Sequence, residues 1–327
     1  MSAEPREVVC SVLAGPEALT VNAAERAALD AGQVRVEIKA CGLNFPDVLM
    51  TRGLYQFKPT LPFVPGMEAA GVVVETASDV GSVKAGDVVS VLGRHGLLRS
   101  EVVVSANSVL PAPTAFSVDE AACYWTAAHT ARHALVDRAQ LVAGERVLVL
   151  GAAGGVGYAC VQLAELLGAE VMAAASSDEK LRVAQQAGAQ HTVNYQDDPL
   201  VDAVREHWPD GVDVIVDPVG GALFEQALRL PRWNGRVLVA GFASGEIGKA
   251  PANLALIKGY SIVGVRAGEA IRRDPALAER SKLALQQWTD AGYLKPHIGA
   301  RYGLGNITEA MQCLEHRRAI GRILVTP

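Results

Sequence analysis

Cysteine is scarce in this sequence. The five cysteines are scattered along the 327 residues, and no two of them form a CxxC pair. Disulfide frameworks and structural zinc sites both need cysteines at close, regular spacings. The observed spacing therefore argues against a disulfide-stapled fold and against a zinc site built from cysteines.

Runs of positive charge and long apolar runs are also missing. No cluster of Lys or Arg appears and the net charge is −5 at pH 7, whereas proteins that bind a phosphate backbone usually carry a basic patch. Every apolar run stops well short of the roughly 20 residues that span a bilayer. The first residues, MSAEPREVV, lack the pattern of a signal peptide. We therefore expect a soluble, cytoplasmic protein with no nucleic-acid or membrane partner.

The chain has enough apolar material for a large core. Half of its residues are hydrophobic and 20% are charged, which is a globular rather than a disordered composition. Its length exceeds that of one typical domain, so we expect two domains. The first third is β-rich, with short strand-like segments such as QVRVEIKA and AAGVVVE between Gly, Pro and Asp.

From Ala143 onwards, strands and helices alternate. ERVLVL, VDVIVD and GRVLVAG are typical of buried strands, with amphipathic helical segments between them. This alternation predicts an α/β fold with a doubly wound parallel sheet covered on both faces. After about Gly268 the sequence predicts a helix, a short strand, a second helix and a final strand, GRILVT, which can return to the first domain.

The turn VLVLGAAGGVGYACVQLA carries the strongest chemical signal. It follows a strand and opens a helix near Gly155, as the G-x-G-x-x-G dinucleotide fingerprint does. The fingerprint positions hold Ala152, Gly154 and Gly157, so alanine replaces the first glycine. Gly154 lets the backbone approach a pyrophosphate, Gly157 lets helix and strand pack closely, and Gly155 and Val156 open a helix whose N–H groups face the phosphates. We predict a dinucleotide site.

The end of the next strand indicates which dinucleotide binds. NAD sites usually place Asp or Glu there for the ribose 2′-hydroxyl, but this chain has Ser176 and Ser177, followed by Lys180. Serine hydroxyls and a lysine can bind a 2′-phosphate. Asp178 is the contrary feature, and Lys180 read alone would be a solvated helix residue. The pattern favours NADPH.

The sequence resembles the medium-chain dehydrogenase/reductase superfamily and, within it, the zinc-free quinone oxidoreductases related to zeta-crystallin. The resemblance covers nearly the whole chain and rests on CGLNFPDVLMTRGLY, LPFVPGMEAAGVV, VKAGDVV, GAAGGVG, ASSDEKLRVAQQAGA, DPVGG and GRILV. It implies a β-rich, GroES-like catalytic domain over 1–120, completed by 268–327. It also implies a Rossmann NADPH-binding domain over 121–267.

The resemblance also implies that the catalytic metal has been lost. Zinc-dependent members carry Cys and His where this sequence has Asn44 and Met67, and neither an amide nor a thioether replaces those ligands. His129 and His133 have a spacing of four that can chelate a metal on a helix, but no HExxH phrase accompanies them. We predict no bound metal.

The polar residues of the same segment are then expected to serve substrate and protons. By resemblance, Asn44 orients the nicotinamide or a substrate oxygen, Asp47 anchors the local network, and Tyr55 is the proton donor. Read alone, Asp47 would cap a helix and Tyr55 would pack structurally. Arg52 either contacts a cofactor phosphate or braces the turn, and Glu68 is expected to be a structural buried acid.

Further cofactor contacts are implied by the resemblance alone. Thr130 matches a residue beside the nicotinamide, and Tyr195 and Arg317 match residues that flank the 2′-phosphate. The nicotinamide pocket is implied to be lined by Gly241, Phe242, Ala243 and Val265, and Val219 is implied to be a further cofactor contact. Arg266 departs from the pattern, since an apolar or aromatic residue often stands there.

These features predict NADPH-dependent reduction of quinones or α,β-unsaturated carbonyl compounds without zinc. One alternative is an enoyl or acryloyl-type thioester or activated-alkene reductase. Another, from a different class, is a cofactor-binding structural or RNA-binding protein with little turnover. Relatives often dimerise by joining sheet edges, and SIVGVRA is the expected edge strand of a homodimer.

Overall fold

The computed structural model describes residues 4–327. The chain divides into two compact units, 1–126 with 297–327, and 127–296. In the described part of the chain, none of the helices is both long and apolar enough to cross a membrane.

The strands and helices follow each other in the order expected for an α/β protein. The strands are β1 Arg6–Cys10, β2 Leu19–Ala23, β3 Gln33–Leu43, β4 Glu68–Thr76, β5 Val88–Leu92, β6 Glu101–Ser105, β7 Val109–Pro111, β8 Arg146–Leu150, β9 Glu170–Ala175, β10 His191–Asn194, β11 Val212–Asp217, β12 Pro231–Val239, β13 Ser261–Gly264, β14 Ile298–Gly303 and β15 Arg322–Thr326. The helices are α1 Phe45–Thr51, α2 Val118–Ala121, α3 Trp125–Arg132, α4 Gly155–Leu166, α5 Asp178–Gln186, α6 Leu200–His207, α7 Gly221–Ala227, α8 Ala252–Lys258, α9 Ala267–Arg273, α10 Pro275–Asp290 and α11 Ile307–Glu315. A π-helical stretch, His133–Arg138, continues α3.

The first unit is built on a seven-stranded sheet. Its order is β14-β15-β3-β4-β5-β7, and β6 pairs with the free part of β3. The C-terminal strand β15 returns to this unit and pairs antiparallel with β3, with Leu324 opposite Gly42. Glycine is required at 42 because a Cβ there would lie 2.2 Å from the Ala122 carbonyl oxygen. The last strand of the chain is thus part of the sheet of the first unit.

The second unit is a six-stranded parallel sheet in the order β10-β9-β8-β11-β12-β13. Numbered within the unit, this is the doubly wound order 3-2-1-4-5-6 of dinucleotide-binding folds. All six residues of β11 are buried, as expected for a parallel strand covered on both faces. The predicted parallel sheet is confirmed, and β13, from the SIVGVRA segment, is its edge strand.

The boundary between the units differs from the sequence expectation. Residues 268–296, expected to complete the first domain, belong to the second unit. The reason is packing within that unit: His129 on α3 and Ser281 on α10 are buried, and Nδ1 of His129 lies 2.8 Å from Oγ of Ser281. Leu285, one turn further along α10, is fully buried. The segment that returns to the first unit begins only at His297.

Candidate active site

The dinucleotide turn joins β8 to α4. The helix begins at Gly155, as predicted, and Gly154 is its N-cap with an ordinary extended backbone (φ −80°, ψ 168°). Gly151, outside the fingerprint positions, makes the sharp turn, since its φ is +58°. The buried Ala152 therefore needs no glycine, and its N–H donates to the Ala174 carbonyl of β9. The replaced first glycine is thus compensated one residue earlier.

The two fingerprint glycines have different surroundings. A Cβ at Gly157 would lie 2.3 Å from the Gly151 carbonyl oxygen and 2.9 Å from Cα of Ala152, so the helix rests directly on the turn. A Cβ at Gly154 would meet only the Gly151 oxygen, at 3.4 Å. Open space beside Gly154, at a helix N-terminus whose first N–H groups lack intrahelical acceptors, is what a bound pyrophosphate requires.

The end of β9 gathers donors for an anion. Nζ of Lys180 donates to Oγ of Ser176 at 3.0 Å, and Oγ of Ser177 caps α5 by accepting from the Lys180 N–H. Asp178, the contrary feature in the sequence, is turned to Nδ2 of Asn194 at 3.2 Å. Tyr195 directly follows β10, and its N–H donates to the carbonyl of Ala175, the last residue of β9. These residues fit a 2′-phosphate better than a ribose hydroxyl.

The turns after β11 and β12 interlock. The Val219 and Gly220 N–H groups donate to Oδ1 of the fully buried Asp217 at 2.8 and 2.9 Å. The N–H of Ala243 donates to the Pro218 carbonyl, and that of Ser244 to the Val219 carbonyl. The loop through Gly241 and Phe242 is therefore fixed against Val219. The N–H of Val265 donates to the Val239 carbonyl at 2.9 Å. Burial raises the pKa of Asp217, and its Oδ2 has no partner within the described residues.

In the first unit, Asn44, Glu68 and Arg322 form a buried polar cluster. Nη1 of Arg322 donates to Oδ1 of Asn44 at 2.8 Å, and Nη2 donates to Oε1 of Glu68. Nδ2 of Asn44 donates to the same Glu68 oxygen at 3.0 Å and to the Gly42 carbonyl at 3.3 Å. The remaining Glu68 oxygen accepts the Thr126 N–H. Glu68 is a structural acid, as expected, and both amide protons of Asn44 are used inside the protein.

Asp47 organises the backbone around this cluster. Its Oδ2 accepts the Asn44 N–H at 2.9 Å and its Oδ1 accepts the Gly66 N–H at 3.0 Å. The side chain is fully buried, and that burial raises its pKa to about 7. The pair of bonds holds the start of α1 against Gly66, whose φ of +102° only glycine adopts readily. Asp47 therefore acts on the site through the backbone.

The remaining side chains of the segment have distinct surroundings. Arg52 pairs with Glu315 on α11 and with Glu17, so it braces α1 within this unit. Tyr55 is half-buried against an apolar cluster that includes Met67. In the described part of the chain its hydroxyl has no hydrogen-bond partner. The phenol is thus held by its ring, with its oxygen available.

The residues considered as metal ligands have other contacts. Nδ1 of His129 is within hydrogen-bonding distance of Oγ of Ser281, and burial lowers the pKa of His129 to about 4. Nδ1 of His133 lies 3.1 Å from Asp137. The Cys41 thiol is buried and donates to the Leu97 carbonyl. Over residues 4–327, no group of three or more His, Cys, Asp or Glu side chains could hold a metal ion.

Other predicted positions are spread over both units. Thr130 lies on α3, Val265 after β13, and Arg317 after α11 in the first unit, exposed and with φ +56°. Arg266 is exposed and stands at the N-cap of α9. The sequence gives no signal for Arg322, although it lies in the GRILV segment, because nothing along the chain links it to Asn44, 278 positions away.

Comparison with known proteins agrees with this geometry. Residues 30–114 match the family "Alcohol dehydrogenase GroES-like domain", and 155–281 match "Zinc-binding dehydrogenase". A GroES-like unit and a dinucleotide-binding unit in one chain define a medium-chain dehydrogenase/reductase, which is an oxidoreductase.

Individual relatives show which branch of the superfamily the chain belongs to. "Quinone oxidoreductase-like protein 2" of Mus musculus is 38% identical over 98% of this chain and 92% of its own length. The structure of Escherichia coli quinone oxidoreductase complexed with NADPH superposes with a TM-score of 0.88, at 28% identity over 98% of this chain and 100% of that one. The CurK enoyl reductase gives a TM-score of 0.86, at 28% identity over 99% of both chains. The chain belongs to the zeta-crystallin-like quinone oxidoreductases of the superfamily.

Proposed function

We propose that this oxidoreductase uses NADPH to reduce quinones or α,β-unsaturated carbonyl compounds without zinc. The observation that carries the proposal is the closed Asn44–Glu68–Arg322 cluster. It lies where, by family resemblance, zinc enzymes place a ligand, and the Arg322 guanidinium supplies the positive charge there. An amide already hydrogen-bonded to an arginine and a carboxylate is a poor metal ligand.

Different residues of the chain bind the cofactor and position the substrate. NADPH, when bound, supplies the hydride. Gly154 and the first turn of α4 receive the pyrophosphate, and Ser176 with Lys180 receives the 2′-phosphate. The homologous complex of Escherichia coli quinone oxidoreductase with NADPH supports this choice of cofactor. Asn44 and Asp47 keep the wall of the site in place, and Thr130, Tyr195 and Arg317 remain proposed contacts.

Tyr55 is proposed as the proton donor to the reduced product. Its ring is fixed by the apolar cluster and its hydroxyl is available, which is the arrangement that a general acid needs. General acids typically contribute about 100-fold or more to turnover. Tyr55→Phe should therefore lower kcat for enones by about 100-fold with little change in KM.

The test is NADPH oxidation over a panel of quinones, enones and enoyl thioesters. The matched control is Tyr293→Phe, since Tyr293 is 58% exposed in the turn that follows α10. Full turnover in Tyr55→Phe would mean that Tyr55 only shapes the pocket. Metal analysis and treatment with a chelator test zinc independence, since activity lost to a chelator and restored by zinc would contradict it.

The enoyl thioester reductase is the second candidate, supported by the likeness to the CurK enoyl reductase. Both functions use the same hydride transfer and the same proton donor. The panel separates them, because a thioester reductase should favour enoyl thioesters over quinones in kcat/KM.

We also propose a homodimer formed at the edge strand β13. Its outer backbone edge is unpaired within the sheet. Exposed apolar side chains lie on β13 itself (Ile262) and on the elements that precede it, β12 (Trp233) and α8 (Leu256 and Ile257). Unpaired edges with apolar neighbours favour pairing with another chain. Light scattering should give twice the mass of one chain, and Ile262→Lys should give a monomer, whereas Leu283→Lys on α10 should not.

A further inference from the structure

The loop between β5 and β6 carries two basic residues, Arg94 and His95, at a fixed position. The Gly93 N–H donates to the Met67 carbonyl at 2.9 Å, and the Gly96 N–H donates to the Val64 carbonyl at 2.7 Å. Gly96 has φ +102°, a conformation that favours glycine. These two hydrogen bonds attach both ends of the loop to the segment from Val64 to Met67, which leads into β4.

Both basic residues lie on one aromatic ring, that of Phe57. The Arg94 guanidinium carbon is 3.5 Å from the Phe57 ring centroid. The His95 ring stacks on Phe57 with centroids 5.8 Å apart and an interplanar angle of 23°. The edge of Phe63 meets the same imidazole at 6.0 Å and 82°. Stacking on an aromatic face orients a guanidinium while leaving its N–H donors available.

Arg94 has no anionic partner among residues 4–327. In the part of the chain that the structure describes, no carboxylate pairs with it, although its side chain is held in place. Most other arginines of this unit are paired, as Arg35 is with Glu75 and Glu101, and Arg52 with Glu315. An ordered, exposed and unpaired guanidinium is a ready site for an anion.

The position of Arg94 connects it to the proposed reaction. Phe57 and Tyr55 pack against the same apolar cluster as Met67, built on Cys10, Met50 and Phe63. Arg94 therefore stacks on a ring, that of Phe57, which packs against the same apolar cluster as the proposed proton donor. A substrate whose carbonyl faces Tyr55 would extend along this cluster toward Phe57.

We propose that Arg94, oriented by Phe57, binds an anionic group of the substrate and so selects anionic over neutral acceptors. This inference rests on the proposed function and names its substrate class: enones, quinones or enoyl thioesters that carry a carboxylate or a phosphate. The guanidinium binds the anion in the ground state and the transition state alike, so its effect falls on KM rather than kcat.

The test compares substrates that carry an anionic group with neutral counterparts that keep the same reacting group. One pair is an enone carboxylate and its methyl ester, and the other is an enoyl-coenzyme A and its N-acetylcysteamine thioester. The variants are Arg94→Met, Phe57→Leu and the control Arg26→Met, whose side chain is 64% exposed elsewhere in the same unit. The carboxylate pair and the thioester pair distinguish the two sources of negative charge.

We expect Arg94→Met to lower kcat/KM for the anionic member of one pair by about tenfold, mostly through KM, as a lost charge-assisted hydrogen bond predicts. The neutral member should change by less than about twofold, within the effect of an ordinary surface substitution. Phe57→Leu should act in the same direction with Arg94 retained, and Arg26→Met should change neither member.

An unchanged ratio of anionic to neutral kcat/KM in Arg94→Met, with turnover intact, would overturn the inference and leave the proposed function standing. Absence of turnover with every substrate would instead reject the proposed function. Calorimetric titration of the NADP⁺-bound protein with the enone carboxylate and the enoyl-coenzyme A then decides the inference. Weaker binding of either ligand by Arg94→Met supports it, and equal Kd values for both ligands in both proteins reject it.

Discussion

Replacing Gly154 with valine tests the nucleotide-binding turn while leaving the surrounding fold in place. Gly154 has an extended backbone conformation that valine adopts without strain (φ −80°, ψ 168°). Its Cβ would touch only the Gly151 carbonyl oxygen, at 3.4 Å. The two added methyl groups would instead extend into the open space beside Gly154, where we propose that the pyrophosphate approaches the backbone.

The expected loss of affinity follows from the hydrogen bonds that a displaced phosphate would give up. A hydrogen bond to a charged group contributes about 1.5–3 kcal/mol. Losing one such bond raises the Kd for NADPH by about 10- to 150-fold. The cost to the apoprotein should stay below about 1 kcal/mol, since only an N-cap preference changes.

Gly157→Ala is the matched contrast. Its new Cβ would lie 2.3 Å from the Gly151 oxygen, a backbone atom that cannot move without shifting the turn. Overpacking of this kind costs about 1–3 kcal/mol, so this variant should lose stability as well as affinity. Fluorescence titration with NADPH and thermal unfolding of the apoprotein measure the two effects separately. Wild-type affinity in Gly154→Val would refute the placement of the pyrophosphate.

Three further predictions concern the buried cluster, acid stability and cofactor choice. Arg322→Met and Glu68→Gln should each cost about 3–5 kcal/mol in urea unfolding, since either change leaves a buried group without its partner. The double variant should lose about 2 kcal/mol less than the sum. Wild type should lose about 2 kcal/mol more stability than His129→Gln when the pH falls from 7.5 to 5. The reason is that the pKa of His129 is about 4 in the folded protein and 6.5 in the unfolded chain. Lys180→Ala should raise the Kd for NADPH about tenfold and leave that for NADH unchanged, with Lys84→Ala, an exposed lysine of the first unit, as the control.

The direction of the His129 effect follows from linkage. A histidine with a lowered folded pKa stabilises the protein above its unfolded pKa, and that stability is lost as the pH falls from 6.5 toward 4. Asp47 titrates in the opposite sense, because its folded pKa is raised to about 7 and its stabilising contribution grows as the pH falls. The comparison is therefore made between wild type and His129→Gln at each pH. Parallel stability curves would contradict the prediction.

Additive losses in the Arg322 and Glu68 variants would show that the two side chains do not act as one unit. Equal loss of NADPH and NADH affinity in Lys180→Ala would place Lys180 away from the 2′-phosphate.

Local patterns were sufficient for the elements and for the cofactor turn. The alternation of apolar strands and amphipathic helices predicted the parallel sheet, since burial on both faces demands continuous apolar strands. The glycines near 154 predicted the strand–turn–helix, and the steric reason lies at Gly157, where a Cβ would lie 2.3 Å from the Gly151 carbonyl oxygen. Even so, the sharp turn is made by Gly151, which is not one of the fingerprint positions. Its positive φ is visible only in the folded backbone.

Tertiary structure alone decided which distant residues share the site and where the units divide. Arg322 reaches Asn44 and Glu68 because β15 pairs with β3, a contact that no spacing along the chain encodes. The helix α10 joined the second unit through the buried contact of Ser281 with His129. Arg94 comes to lie on Phe57 because backbone hydrogen bonds pin its loop beside Met67. Amino-acid patterns specify local conformation and burial, whereas side-chain partners arise only when strands far apart in sequence pair.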